Sequence, residues 1–339
     1  MKALVLTQAV DKDDPVLGFF HGWLQEFARH FEHIEVVCLK EGSHSLPSNV
    51  RIHSLGKERG ASRLTYAWRF YRYTWSLRHE YDVIFVHMNQ EYVLLGGKLW
   101  WILRKPVYLW RNHYAGGWMT DIAAMFCKKV FCTSKYSYTA KYRKTVLMPV
   151  GVDMNVFKPL DVERRANSVL SLGRIAPSKR LEVLIEALRI LKEKGITVQA
   201  EIVGEPLPKH AAYRDALQKL VRDSKLEVHM SPGVPNDETP KLYSAYDIFV
   251  NCSGSGMYDK TIFEAAACGA LVVASSEDFQ SLAGESFSFS GKAAELAQKL
   301  EALLSLSESE REAMRRKLAE LVQEHSLETL GRRLAEEMK

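Results

Sequence analysis

The feature that most restricts this chain is an alternation. Short apolar runs of strand length are separated by helix-length segments almost from end to end. In the first half the runs are KALVLT, IEVVCL, VRIHSL, DVIFVH, PVYLWR, KVFCTS and TVLMPV. Between them, helices are predicted around 18–31, 62–79, 91–103, 118–127 and 134–141. In the second half the runs are SVLSLG, VQAEIVG, LEVHMS, DIFVNC and LVVASS, with helices near 178–194, 209–224, 238–245, 261–268, 292–304, 308–323 and 326–338. Strands alternating with helical segments argue for parallel sheets with crossover helices. The expectation is therefore an α/β chain of two Rossmann-like, doubly wound domains facing a central cleft. The length of 339 residues suits two domains of about 150 each. The boundary is placed in PVGVDMNVFKPLDVERRANS, where Pro, Gly and Asp cluster between two strands. That gives domains 1–155 and 156–325, with a C-terminal helix over 326–339 packing back on the first. In open sheets of this kind ligands sit outside the carboxyl ends of the strands.

Charge divides the chain unevenly. Residues 1–150 hold 21 Lys and Arg against 12 Asp and Glu, while the remainder holds 25 against 29. All seven tryptophans lie at or before Trp118. The halves should therefore have different partners. In RLTYAWRFYRYTWSLRHEY, Leu64, Trp68, Tyr71 and Trp75 share one helical face with Arg63, Arg69, Arg72 and Arg78 beside it. KLWWILRK adds Trp100 and Trp101. The ordinary explanation of such a stripe is core packing. The surplus of cations favours a second one, contact with an anionic membrane surface or an anionic acceptor. Nucleic acid is excluded as a partner because no recognised binding module accompanies the charge. No apolar run reaches the roughly 20 residues of a membrane span, and MKALVLTQAV reads as a strand rather than a signal peptide. The five cysteines lack zinc or redox spacing and read as free, buried thiols. A cytoplasmic protein, peripheral at most to the inner face of a membrane, is expected.

Two stretches in the second half break the usual rule for helix starts. In SVLSLGRIAPSKRLEVLIEAL, Arg174 leaves a strand, and Lys179 and Arg180 open a helix that Ser178 could cap. A cation at a helix N-terminus opposes the macrodipole, so three of them there point to a bound anion such as a diphosphate. A solvated basic turn is the plainer alternative. In NCSGSGMYDKTIFEAAACGA, Ser255 and Gly256 lie in a glycine-rich loop, Asp259 is placed to cap the next helix, and Lys260 and Thr261 begin it. Glu264 sits one turn later in a run of alanines, where a ribose diol or a neighbouring cation would satisfy its carboxylate. The acidic run Asp11, Asp13 and Asp14 reads as a turn, not a metal site.

The order and spacing of PVGVDMNVFKP, GRIAPSK, VGEP, SPGVPNDETPKLYSAYDIFVNCS and FEAAACGALVVAS resemble the landmarks of the retaining family-4 glycosyltransferases of the GT-B fold. The resemblance covers most of 145–280; the first half is similar only in layout. It implies a nucleotide-sugar donor domain at 156–325 and an acceptor domain at 1–155. It implies that Arg174 and Lys179 hold the donor diphosphate and act in catalysis. Gly204, Ser255, Gly256, Asp259, Lys260 and Thr261 would surround the donor, and Glu264 would bind its ribose. The glutamate that the family carries eight residues before that position is Gly256 here. In the first half, Gly18 matches a glycine near the donor phosphates. His113, after YLWRN, matches an active-site histidine, and His87 and Asn112 are candidate contacts for the acceptor or sugar.

The function this implies is retaining transfer of a sugar from a nucleotide-diphosphate sugar to a glycan, lipid-linked or small-molecule acceptor. No cofactor and no metal are expected. The missing glutamate leaves open a catalytically silent nucleotide- or glycan-binding partner protein, and a sugar-nucleotide epimerase is a further rival. A dehydrogenase is disfavoured, since no G-x-G-x-x-G follows the first strand.

Overall fold

A computed structural model of the chain describes residues 1–14, 16–256 and 258–339. Pro15 and Met257, inside two of the stretches quoted above, lie outside them. All twelve apolar runs form strands. The first seven are β1 (Lys2–Val10), β2 (His33–Glu41), β3 (Val50–Ser54), β4 (Val83–His87), β5 (Val107–Trp110), β6 (Lys129–Cys132) and β7 (Thr145–Leu147). They pair in parallel in the order β3-β2-β1-β4-β5-β6-β7. The other five are β8 (Arg165–Leu172), β9 (Gln199–Val203), β10 (Val228–Ser231), β11 (Tyr246–Asn251) and β12 (Leu271–Ala274), parallel in the order β10-β9-β8-β11-β12.

The helices are α1 (Phe19–His30), α2 (Arg63–Ser76), α3 (Gln90–Ile102), α4 (Trp118–Phe126), α5 (Leu181–Glu193) and α6 (Ala211–Asp223). They continue as α7 (Thr239–Ala245), α8 (Lys260–Ala267), α9 (Glu277–Ala283), α10 (Ala293–Leu304), α11 (Glu308–Gln323) and α12 (Leu327–Met338). Two compact units result: Met1–Gly151 together with Leu327–Lys339, and Val152–Ser326.

In the N-terminal unit each face of the sheet has its own helical cover. Phe20, Trp23, Leu24 and Phe27 recur at helical spacing along α1 and pack with Leu330, Leu334 and Met338 of α12 on one face. The last strands of the sheet also hold α12: Tyr108 Oη donates to the Met338 carbonyl at 3.0 Å, and Lys129 Nζ pairs with Glu337 at 2.6 Å. On the opposite face Phe70 of α2, Tyr92, Val93 and Trp100 of α3, and Ala123 of α4 fill the core. Burying each of the larger of these side chains contributes roughly 1.5–3 kcal/mol.

The core reading of the aromatic stripe on α2 is wrong. Phe70 and Thr74 are the buried residues of that helix, and Leu64, Trp68, Tyr71 and Trp75 are exposed. Trp100 is buried and its neighbour Trp101 is not.

In the C-terminal unit the core lies between the strands and the pair α5 and α10, built on Leu184, Ile185, Leu188, Ile248, Val250 and Leu296. Asp247, buried at the start of β11, receives Arg311 at 2.6 Å and Arg315 at 2.5 Å, which pins α11 to the strand.

Two predicted helices differ in extent. Residues 134–141 give only a single tight turn at Tyr138–Lys141. Ser134 Oγ accepts from the Tyr136 amide at 3.0 Å, and Ser137 Oγ donates to Asn112 at 3.0 Å. Such local bonds compete with helix formation. The helix predicted from 178 starts at Leu181. Pro177–Lys179 forms a separate tight turn, and Arg180 reverses the chain at φ 48°. All five cysteines are buried and none forms a disulfide. Among the described residues no helix is long and apolar enough to cross a membrane, and no cluster of three His, Cys, Asp or Glu could hold a metal ion. Asp11 and Asp14 instead pair with Lys40 at 3.0 and 3.5 Å.

Candidate nucleotide-binding site

Strand order in the C-terminal sheet reverses between β8 and β11, so the loops leaving those strands border the natural crevice. The loop after β8 begins at Gly173, which has φ +146°, and runs through Arg174 to Lys179. Gly204, leaving β9, approaches it so closely that a Cβ on Gly204 would lie 1.8 Å from the Gly173 carbonyl oxygen. Gly204 is itself buried, so its part in the site is to let two strand exits meet.

Lys179 does not wait for an external anion. Its Nζ is ion-paired with the Asp259 carboxylate, which reaches across from the loop after β11. This corrects the expectation that Asp259 caps α8. Asp259 occupies the cap position, yet its side chain makes no capping bond. Its Oδ2 instead accepts from Asn251 at 2.9 Å and from Ser253 Oγ at 3.3 Å, as well as from Lys179. Burial alone would raise the Asp259 pKa. The Lys179 charge, with hydrogen bonds from Lys179, Asn251 and Thr261, outweighs it and holds the group down at about 2. Ser178 is likewise not a cap, because α5 starts after Arg180 and has no side-chain cap. Arg180 is turned away to the Gly291 carbonyl at 2.8 Å. Arg174 is the exposed cation of this loop and makes no ion pair among the described residues.

Lys260 and Glu264 lie one turn apart at the mouth of α8. Burial holds the Lys260 ammonium below its usual range, against the pull of Glu264 and Asp153. Burial pushes the Glu264 carboxyl up to about 7; Lys260 draws it down, Asp259 raises it, and a hydrogen bond from Tyr243 Oη at 3.3 Å lowers it. Glu264 is only 6% exposed. A buried carboxylate with one neutral donor has acceptor capacity left for a hydroxylated ligand.

The loop between β11 and α8 is fastened to α9. Ser255 Oγ accepts from the Glu277 amide at 2.8 Å, and the Gly256 amide, at φ +98°, donates to Asp278 at 3.4 Å. Thr261 Oγ1 accepts from Asn251 at 3.3 Å. Asn251, Tyr243 and Asp278 escaped the sequence reading. Asn251 carried a signal, being the polar residue that follows the apolar run Ile248–Val250 at the end of its strand; the other two carried none.

Four candidates belong to the N-terminal unit. Gly18 precedes α1, and a Cβ there would lie 2.7 Å from the Lys12 carbonyl, so the turn after β1 requires glycine. His87 is the last residue of β4. It is buried, stacked on Phe20 with ring centres 4.1 Å apart, and its Nδ1 lies 3.2 Å from Thr7 Oγ1. Asn112 is committed to the loop after β6, accepting from the Thr133 amide at 3.2 Å and from Ser137 Oγ. His113 follows the end of β5 at Trp110 by three residues. It lines a pocket of about 410 Å³ with Gln90, Arg111, Trp118 and Met119. Its Nδ1 accepts from the Ala115 amide at 2.9 Å, which leaves Nε2 as the donor of the neutral ring.

Residues 166–306 match the sequence pattern of the family described as "Glycosyl transferases group 1". The D-inositol 3-phosphate glycosyltransferase of Frankia alni is 30% identical over 152 residues, which is 40% of this chain and 37% of that protein. The chain thus spans little more than a third of that curated relative. Over nearly its whole length the chain is similar in structure to the Anabaena protein Alr3699/HepE, crystallised with UDP (TM-score 0.80, 20% identity, 99% of each chain). The same holds for the sucrose-phosphate synthase of Thermosynechococcus elongatus (TM-score 0.79, 16% identity, 99% of this chain and 98% of that one). Residues 166–306 are accordingly a glycosyl transferases group 1 domain, and the two parallel α/β units are those of the GT-B fold.

Proposed function

We propose that this chain transfers a sugar from a nucleotide-diphosphate sugar to a hydroxyl of a glycan, lipid-linked or small-molecule acceptor, with retention of configuration and without a metal. The observation that carries the reading is the grouping of Arg174, Lys179 and Lys260 with the buried Glu264 at the strand exits of the C-terminal unit. Cations and free amides placed where a diphosphate departs stabilise the charge that develops on it. Arg174, exposed and without an ion pair among the described residues, is assigned the first contact with the diphosphate. Lys179 is assigned a second, exchanging Asp259 for phosphate oxygen. Glu264, ionised, accepts from the two ribose hydroxyls. The acceptor's proton passes to a donor phosphate oxygen on the same face, so no strong protein base is required. The acceptor is assigned to the N-terminal unit, where His113 Nε2–H offers a donor. The names of the similar proteins, a glycosyltransferase and a UDP-bound structure among them, support the donor class.

The test is a thermal-shift panel of UDP-, GDP-, ADP- and CMP-sugars. A true donor at a hundredfold excess over its Kd stabilises by about 2.7 kcal/mol. No shift with any of them refutes the reading. A second reading, a partner protein that binds the nucleotide without transfer, is favoured by Gly256 standing where the resemblance expects a carboxylate. Slow hydrolysis of radiolabelled donor by the pure protein excludes it.

A further inference from the structure

Three crossover helices of the N-terminal unit end alike. Each of α2, α3 and α4 joins one parallel strand to another, so all three run against the strands and their C-termini gather at one edge. α2 meets α3 where Tyr71 Oη donates to the Leu95 carbonyl at 3.1 Å, and α3 meets α4 where a Cβ on Gly97 would lie 2.7 Å from the Phe126 ring. At the shared edge the last turn of each helix leaves large apolar side chains in solvent: Trp75 on α2, Trp101 and Ile102 on α3, and Met125 on α4. Trp101 is 74% and Met125 78% exposed. A cation follows each of them, Arg78, Arg104 and Lys128 in turn.

Core packing does not account for the pattern, because Phe70, Trp100 and Ala123 already fill the space beneath these helices. Nor can α12 cover the edge, since it is packed against α1 on the other side of the sheet. Helix capping accounts for part of the charge. Arg78 donates to the Trp75 carbonyl at 2.9 Å, as a cation at a helix C-terminus should. It does not account for the exposed rings. The guanidinium of Arg78 also lies 4.5 Å from the centre of the Trp75 ring, which joins the apolar and cationic elements in one surface. α2 contains no acid, the α4 acid Asp121 pairs with Lys141 at 2.8 Å, and Glu80 beyond α2 pairs with Lys2 at 3.8 Å.

We propose that this edge docks on an anionic phospholipid bilayer. Trp75, Trp101, Ile102 and Met125 enter the headgroup boundary, and Arg78, Arg104 and Lys128 meet lipid phosphates. Tryptophan suits that position because its ring is apolar and its N–H remains hydrated. Each cation near such a surface is worth about 1 kcal/mol. The strand exits of the unit, where His113 lies, are at the opposite end and stay open. The proposal is independent of the donor reading, which concerns the other unit.

The test floats the full-length chain with vesicles of phosphatidylcholine alone, or with about a third phosphatidylglycerol. Binding to the anionic vesicles, a blue shift of tryptophan emission and loss of binding in high salt are expected. Arg104→Gln with Lys128→Gln should weaken binding about 30-fold, at about 1 kcal/mol per charge. Trp101→Ser with Met125→Ser should weaken binding and reduce the blue shift to the part that Trp75 supplies. These positions are exposed, and unchanged circular dichroism will show that the variants fold. No binding, equal binding to both vesicle types, or unchanged binding by the variants overturns the proposal. So does a wild-type dimer in buffer that Trp101→Ser with Met125→Ser makes monomeric, an outcome that assigns the edge to a second copy of the chain.

Discussion

Replacing Glu264 with Gln tests the electrostatics of the nucleotide site apart from any catalysis. Glutamine keeps the shape of a protonated glutamate and cannot ionise. In the folded protein burial raises the Glu264 pKa from 4.5 to about 7. Between those two values the folded chain retains a proton that the unfolded chain has released. The stability contributed by this site is therefore complete below pH 4.5 and is lost as pH rises through about 7. At about 1.4 kcal/mol per pH unit, the gap amounts to about 3 kcal/mol. Glu264→Gln should match wild type near pH 4.5 and exceed it by about 3 kcal/mol at pH 8. Asp259, held near 2, gives the opposite dependence: its contribution is present above 3.8 and is lost as pH falls towards 2, outside the window used here. The assay is urea unfolding at several pH values, followed by circular dichroism or by hydrogen exchange of the α8 amides. Tryptophan emission will not serve, because all seven tryptophans precede the C-terminal unit. A stability difference that stays constant from pH 5 to pH 8 would refute the argument. The same titration makes a binding prediction: UDP affinity in wild type should change over this range differently from the variant, where only the terminal phosphate of UDP titrates.

Arg174→Ala should leave stability within about 0.5 kcal/mol and weaken UDP binding at least tenfold, measured by calorimetry. Lys179→Ala should also weaken binding but will destabilise by about 2 kcal/mol, because Asp259 keeps a buried charge without its partner. Adding Asp259→Asn should restore the stability and not the affinity; unchanged affinity in both single variants would remove the pocket. Gly204→Ala should cost more than about 2 kcal/mol in urea unfolding, since its Cβ meets the Gly173 carbonyl. Asp247→Ala should cost about 3–5 kcal/mol by stranding Arg311 and Arg315, and a melting temperature equal to wild type would count against that triad. EDTA should leave sugar transfer intact, and its abolition would revive Asp11 and Asp13 as a metal site.

The architecture was largely legible because fully buried strands write continuous apolar runs, and twelve of these bounded by polar segments leave few alternatives to parallel sheets. The site was legible in composition but not in pairing. Lys179 and Asp259 are eighty residues apart in sequence, and no local pattern announces that the carboxylate of one loop neutralises the ammonium of another. The same blindness gave Asp259 a capping role, which its position allows and its partners forbid. The core reading of the stripe on α2 failed for a different reason. Helical periodicity identifies residues that share a face and says nothing about which way the face points. Phe70, outside the stripe, turned out to be the buried anchor.

The return of α12 to the first sheet has a kinetic consequence. Phe20, Trp23 and Phe27 present an uncovered face until Leu330, Leu334 and Met338 arrive, and those follow the whole of the other unit in the order of synthesis. Of the two units, the one that begins first is thus completed last. Shortening the chain before Leu327 should strand a half-built amino-terminal lobe that aggregates, while the intervening lobe folds normally.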